Sequence, residues 1–313
     1  MEYVLSIALF LLGLLFLVKG ADVFVDGALF LARRFHLPEF LIGATIVSIG
    51  TTLPETVVSI TAAMDGHCDV AYGNAIGSII CNTGLIVGLV LFCSAPHVKR
   101  QNIVLGTIFF FIAAAVYIAA AVLFHGIPRG VALILLFLFI VYAIFSLKGS
   151  KSAKSKPVST LEPEGKALSH IFKMAIAAGA LYFGSGLMMD NVEKFAIWLN
   201  VPHKIIALTI VALGTSLPEL ITAIVSIRKG HGALSVGNIL GANLFNLVLV
   251  SSISSLVLPT IIDMHAVQTD LIVMLFVMAL FTVPIIARSK GSRIQGAALL
   301  ISYILYITAL YHR

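Results

Sequence analysis

GATIVSIGTTLPETVVS, running from Gly43 to Ser59, returns as ALTIVALGTSLPELITA from Ala207 to Ala223. A shift of 164 residues aligns the two stretches without a gap, and eight of the seventeen positions are identical. The same shift pairs Gly20 with Gly184, Asp26 with Asp190 and Pro38 with Pro202. Farther along it pairs Gly73 and Asn74 with Gly237 and Asn238, Gly77 with Gly241, and Asn82 with Asn246. Apolar helices match Leu and Val by chance. Gly, Pro, Glu and Asn in register mark an internal duplication.

The two copies lie in a chain that calls for lipid as its solvent. Of 313 residues, 60% are hydrophobic and 11% charged, whereas a soluble domain carries roughly 25% charged residues. So few charges cannot build a polar shell. Stretches near the bilayer-spanning length of about 20 residues predict ten helices, near 3–33, 40–64, 70–94, 102–124, 127–147, 168–199, 204–228, 234–258, 266–287 and 294–311. The polar run KGSKSAKSKPVSTLEPEGK, Lys148 to Lys166, reads as a solvated linker. Equivalent positions are five spans apart, an odd number, so the copies face opposite ways. The expected architecture is an all-α polytopic membrane protein with ten transmembrane helices in two inverted five-helix repeats, 1–147 and 167–313, joined by linker 148–166. Inverted repeats build many secondary transporters, with the binding site at the repeat interface near the midplane.

Of the 20 Lys and Arg residues, fifteen, from Arg33 to Arg293, fall on one expected side of the membrane. The other side holds Arg129, Lys194, Lys204 and Arg313, and Lys19 lies within the first span. The positive-inside rule then puts the linker in the cytoplasm and both termini outside, in a plasma (inner) membrane. The net charge of +6 forms no basic face beyond short loops, so no nucleic-acid partner is expected. Cys68, Cys81 and Cys93 have neither disulfide-framework nor zinc-ligand spacing. The first apolar segment lacks a basic region ahead of it and runs on through Phe30, as a mature helix does and a cleaved signal does not.

Glu55, Asn82, Glu219 and Asn246 fall near the centres of their spans at matching repeat positions. A carboxylate there costs about 2.5 kcal/mol or more without a partner, so it faces the bundle interior and carries function by default. A protonated Glu in a helix-to-helix hydrogen bond is the blander reading; two Glu at equivalent positions favour a shared site. Pro54 has no N–H for the Gly50 carbonyl, and Pro218 does the same to Gly214. One proline kink is ordinary in a membrane helix. Two, each beside a Glu, point to freed carbonyls that can face a cation. Ser48, Thr52 and Glu55 follow an i, i+4, i+7 stripe, and Thr51 lies one turn before Glu55. Ser216 and Thr215 precede Glu219 by three and four residues; Ser78 precedes Asn82 by four, as Ala242 does Asn246.

These candidate ligands are all oxygen, and no His or Cys has repeat-equivalent placement among them. Flexible oxygen sets suit calcium, whereas magnesium wants a rigid octahedron. Sodium accepts the same hard oxygens, and one calcium ion neutralises two carboxylates. The expected partners are therefore calcium, sodium and the lipid bilayer, with no cofactor and no obligate protein partner.

The chain resembles the sodium/calcium exchanger family of the calcium/cation antiporter superfamily, through GTTLPE with GNAIGSIICN in the first half and GTSLPE with GNILGANLFN in the second. The resemblance implies calcium bound by Glu55 and Glu219 with backbone oxygens near Thr51 and Thr215. It implies sodium bound by Thr52, Ser78 and the Ser48 carbonyl in one half, and by Ser216, Glu219 and the Ala212 carbonyl in the other. Asn82 and Asn246 complete the polar ring. It also implies electrogenic exchange of the two ions by alternating access. Two departures stand out. Ala242 replaces the counterpart of Ser78, with neighbouring Asn243 or water as the compensating ligand, and Asn246 stands where potassium-carrying members have an acid.

Two other functions compete. A proton/calcium antiporter would use Glu protonation, but a proton needs no hydroxyl-rich GTT or GTS cage. An intramembrane lipid-modifying enzyme could use Asp22 and Asp26 as a metal pair, but it leaves both LPE motifs unexplained. A transporter, not an enzyme, is expected. With Lys19 three residues ahead of Asp22, the two aspartates read as a local ion pair reaching the interface.

Overall fold

In lipid every backbone N–H and C=O has to be bonded within the protein, so apolar runs of spanning length fold as helices. The computed structural model describes residues 2–152, 166–198 and 212–311. The first half holds α1 (Glu2–Arg34), the pair α2 (Glu39–Thr51) and α3 (Leu53–Met64), α4 (Cys68–Ser94), α5 (Arg100–Phe124) and α6 (Arg129–Ser152). The second holds α7 (Ala167–Trp198), α8 (Ala212–Thr215), α9 (Leu217–Arg228), α10 (Gly232–Val257), α11 (Met264–Arg288) and α12 (Arg293–Tyr311).

Among the described residues, eight helices are long and apolar enough to cross a membrane, or nine when α2 and α3 count as one bent span. The protein is a helical polytopic membrane protein. The span expected at 204–228 is described from Ala212 onward, as α8 and α9; residues 204–211 lie outside the described part. Helix α6 continues into the polar run to Ser152, and 153–165 also lie outside it.

Burial ranks the helices. In their most apolar stretches α4 is 72% buried and α10 is 89% buried, against 17% for α12, so α4 and α10 form the centre. Leu168, Phe172, Ile294 and Leu305 are exposed, as side chains that face lipid are. One apolar core gathers Ile79, Phe110, Leu240 and Phe281 from α4, α5, α10 and α11. A second gathers Leu17 and Val25 of α1 with Ala177 and Leu181 of α7. Glycine lets helices cross backbone to backbone: Gly43 of α2 lies on the Leu234 carbonyl, and Gly237 of α10 lies on the Phe40 carbonyl.

Backbone details recur at the 164-residue shift. Gly66 (φ +86°) and Gly230 (φ +82°) follow α3 and α9 in the left-handed conformation that caps helix C-termini without a Cβ clash. The next amides, His67 and His231, donate to the carbonyls of Ala62 and Ser226, both at 2.8 Å. Left-handed His125 (φ 52°) ends α5, as Ser289 (φ 55°) ends α11. Strand β1 (Gly126–Ile127) pairs antiparallel with β2 (Thr260–Ile261), Gly126 opposite Ile261, and an antiparallel bridge joins His97 to Lys290. The Ile262 N–H donates to the His125 carbonyl at 2.9 Å, and the Val98 N–H to the Ser289 carbonyl at 3.1 Å. Helix α5 separates His97 from Gly126, and α11 separates Ile261 from Lys290. These clips therefore sit at opposite ends of two antiparallel helices.

Candidate functional site

The two LPE segments break their helices at the same place. Thr52, between α2 and α3, has φ −82° and ψ 4°, and the two helices are bent by 43°. Ser216, between α8 and α9, has φ −85° and ψ 6°. Pro54 and Pro218 occupy the first turn of the following helix, where a missing N–H costs that helix nothing while the turn before it loses a donor. The ladder closes on either side of the first break: Thr52 N–H to the Ser48 carbonyl at 3.0 Å, and Thr56 N–H to the Thr52 carbonyl at 3.1 Å. Two further breaks of regularity lie alongside. Helix α4 contains a π-helical turn at Asn82–Val87, and α10 one at Asn246–Val250. Such turns recur at functional sites, and both begin at the paired asparagines.

Each expected site residue with a described side chain is buried. Ser48, Thr51, Glu55, Ser78, Asn82, Ser216, Glu219 and Asn246 have no exposed surface, and Thr52 and Thr215 have almost none. Ala212 opens α8. Contacts cross between the halves. Thr52 Oγ1 lies 3.5 Å from Glu219 Oε1, Ser78 Oγ lies 3.4 Å from Thr215 Oγ1, and Thr51 Oγ1 donates to Asn238 Oδ1 at 3.2 Å. The Glu55 and Glu219 carboxyl groups are near enough to act on each other electrostatically.

The partners these groups lack are as informative. Both carboxylate oxygens of Glu55, Glu219 Oε2, Ser216 Oγ, and the side-chain oxygens and nitrogens of Asn82 and Asn246 are buried without a hydrogen-bond partner among the described residues. Buried polar atoms are nearly always bonded, so a cluster without protein partners marks a place where these atoms can serve a ligand. Among the described residues no Lys, Arg or His forms an ion pair with either Glu, and no group of three or more His, Cys, Asp and Glu could hold a metal. The donor set is two carboxylates with amide and hydroxyl oxygens. It can surround a hard cation without the tight cage of a resident metal.

Three details go beyond the sequence reading or correct it. Asp22 and Asp26 pair not with Lys19 but with Lys229, just after α9, whose Nζ lies 3.3 Å from Asp22 Oδ1 and 2.7 Å from Asp26 Oδ1. The residues are near in space through the packing of α1 on α9, which sequence spacing does not report. Asn243, beside Ala242, donates through Nδ2 to Thr83 Oγ1 at 2.7 Å. Asn74 and Asn238 brace the Glu-bearing turns. Asn74 Nδ2 donates to the Glu55 carbonyl at 2.9 Å and to Ser59 Oγ at 2.8 Å, while Asn238 accepts from Thr51. Their match across the repeat was the available signal.

A sequence profile for the family described as sodium/calcium exchanger protein matches residues 5–148 and 169–312. The chain is 34% identical over 317 residues to the inner membrane protein YrbG of Escherichia coli, covering 98% of this chain and 97% of that one. It is 28% identical to the sodium/calcium exchanger MaX1 of Methanosarcina acetivorans, covering 96% and 97%. A solved structure of the sodium-calcium exchanger NCX_Mj, soaked with sodium and strontium, superposes with a TM-score of 0.84 at 30% identity over 98% of this chain and 99% of that chain. With a break, a Glu and a buried polar cluster contributed by each half, the chain belongs to the sodium/calcium exchanger family, whose members are cation/calcium antiporters.

Proposed function

We propose that this protein exchanges sodium for calcium across the plasma membrane, electrogenically and by alternating access. Its ten spans form two inverted five-helix repeats, 1–147 and 167–313, with linker 148–166 in the cytoplasm and both termini outside. The antiparallel pairing of α5 with α11, clipped at both ends by repeat-equivalent residues, supports that architecture. Calcium sits between Glu55 and Glu219 with backbone oxygens near Thr51 and Thr215. Sodium uses Thr52, Ser78 and the Ser48 carbonyl on one side, and Ser216, Glu219 and the Ala212 carbonyl on the other, with Asn82 and Asn246 closing the ring. The observation that carries the reading is the cluster of buried oxygens without partners around the two Glu residues. Two negative charges in a low-dielectric setting demand a compensating cation, and a divalent ion supplies both charges at once.

Calcium uptake into sodium-loaded proteoliposomes tests this. Uptake that rises with an outward sodium gradient is the expected result. Uptake driven by a pH gradient alone indicates proton coupling, gradient-independent uptake indicates a channel, and either result overturns the proposal.

A further inference from the structure

Asn74, Ser78 and Asn82 lie along one face of α4 at intervals of one turn, and Asn238, Ala242 and Asn246 lie likewise on α10. The first asparagine of each row is not among the proposed ligands, yet each is tied to the Glu turn of its own half. Asn74 Nδ2 reaches the Glu55 carbonyl directly. Asn238 Nδ2 reaches Thr222 Oγ1 at 3.3 Å, and that hydroxyl donates to the Pro218 carbonyl at 2.7 Å with the Glu219 carbonyl 3.0 Å away. The other end of the amide points across the interface. Asn238 Oδ1 accepts from Thr51 of the opposite half, but its counterpart, Asn74 Oδ1, is buried with no partner among the described residues.

The repeat-equivalent donor for Asn74 Oδ1 is the hydroxyl of Thr215. Here that hydroxyl lies 3.4 Å from Ser78 Oγ, one turn farther along α4. Thr51 has no second hydroxyl to meet on α10, because Ala242 replaces the counterpart of Ser78; its other acceptor is the Ser48 carbonyl of its own helix at 3.5 Å. The two cross-ties are thus unequally made in one conformation. In a transporter of two inverted halves, exchanging the roles of the halves is what converts one access state into the other.

We propose that Asn74 and Asn238 are positioning residues whose cross-ties alternate with the access state. Thr51 is tied to Asn238 in the state described here; in the opposite state that tie opens and Thr215 steps from Ser78 to Asn74. The step is one helical turn, about 5.4 Å, a size of ratchet known from other switching proteins. This inference rests on the exchange function proposed above.

The test compares apparent calcium KM on the two membrane faces, using right-side-out and inside-out vesicles. Thr51→Val and Thr215→Val remove a hydroxyl with little change of shape. Each should shift the ratio of the two KM values by roughly fivefold, the size expected from one net hydrogen bond, and the shifts should be opposite in direction. Thr51→Ser and Thr215→Ser should restore the ratio. Thr51→Val combined with Asn238→Ala should be no worse than Asn238→Ala alone. Shifts in the same direction, or none, overturn the alternating ties while inactive Glu55→Gln and Glu219→Gln controls leave the exchange function standing. Controls that exchange at the wild-type rate overturn both.

Discussion

Thr52 Oγ1, on the first half, stands 3.5 Å from Glu219 Oε1 on the second and 2.7 Å from the Ser48 carbonyl. The short contact takes the hydroxyl proton, so the oxygen's lone pairs remain near the carboxylate, where a cation would draw both together. Thr52→Val removes that oxygen and keeps the shape. The sodium concentration for half-maximal exchange should rise by about tenfold, the equivalent of roughly 1.4 kcal/mol, with a smaller change for calcium. Sodium titration of exchange in proteoliposomes checks it, with Thr52→Ser close to wild type.

Glu55→Gln and Glu219→Gln should each lower exchange by at least about a hundredfold, because half of the compensating charge disappears from a fully buried position. Folding should survive. Each Glu is buried with unpaired oxygens and no cationic neighbour among the described residues, so the amide relieves a cost instead of breaking a bond. A melting temperature in detergent equal to or above wild type, together with lost uptake, is the expected pair of results.

Lys229 should matter little to stability. Its partners Asp22 and Asp26 are 41% and 65% exposed, and solvent-exposed pairs contribute about 0–1 kcal/mol. Lys229→Met should therefore lower the melting temperature only slightly, and the difference should shrink at high salt. A large, salt-independent loss would mean that the pair is shielded from water.

Gly73 and Gly237 occupy equivalent repeat positions, yet substitution should act on them with opposite signs. A Cβ on Gly237 would run into the Phe40 carbonyl, whereas one on Gly73 would meet nothing within 4 Å. Gly237→Ala should destabilise by about 3 kcal/mol or more, since backbone cannot yield as a side chain does. Gly73→Ala should stabilise by up to about 1 kcal/mol through helix propensity. Thermal melts of the two purified variants make the comparison directly.

Much of this was legible in the linear sequence because lipid imposes simple rules. Span length follows from apolar runs, and the paired breaks follow from Pro54 and Pro218. The joints themselves, Thr52 and Ser216, lie two residues ahead of each proline, within the turn that loses its donor. Other features depend on how helices are rotated and registered against one another, which a single sequence does not encode locally. Lys229 finds Asp26 from 203 residues away. Thr51 finds Asn238 across 187, and Asn243 Nδ2 finds Thr83 across 160. The π-helical turns at Asn82 and Asn246 belong with these, since an inserted residue in a turn has no composition of its own.

The clips at His97–Lys290 and Gly126–Ile261 have a mechanical consequence. Two rods about 37 Å long, pinned at top and bottom, can tilt as one piece but cannot shear lengthwise. Spin labels placed on α5 and α11 should keep a constant separation whichever face of the membrane the cations can reach. In the exchange cycle proposed above, this pair would be the fixed frame against which displacements elsewhere can be measured.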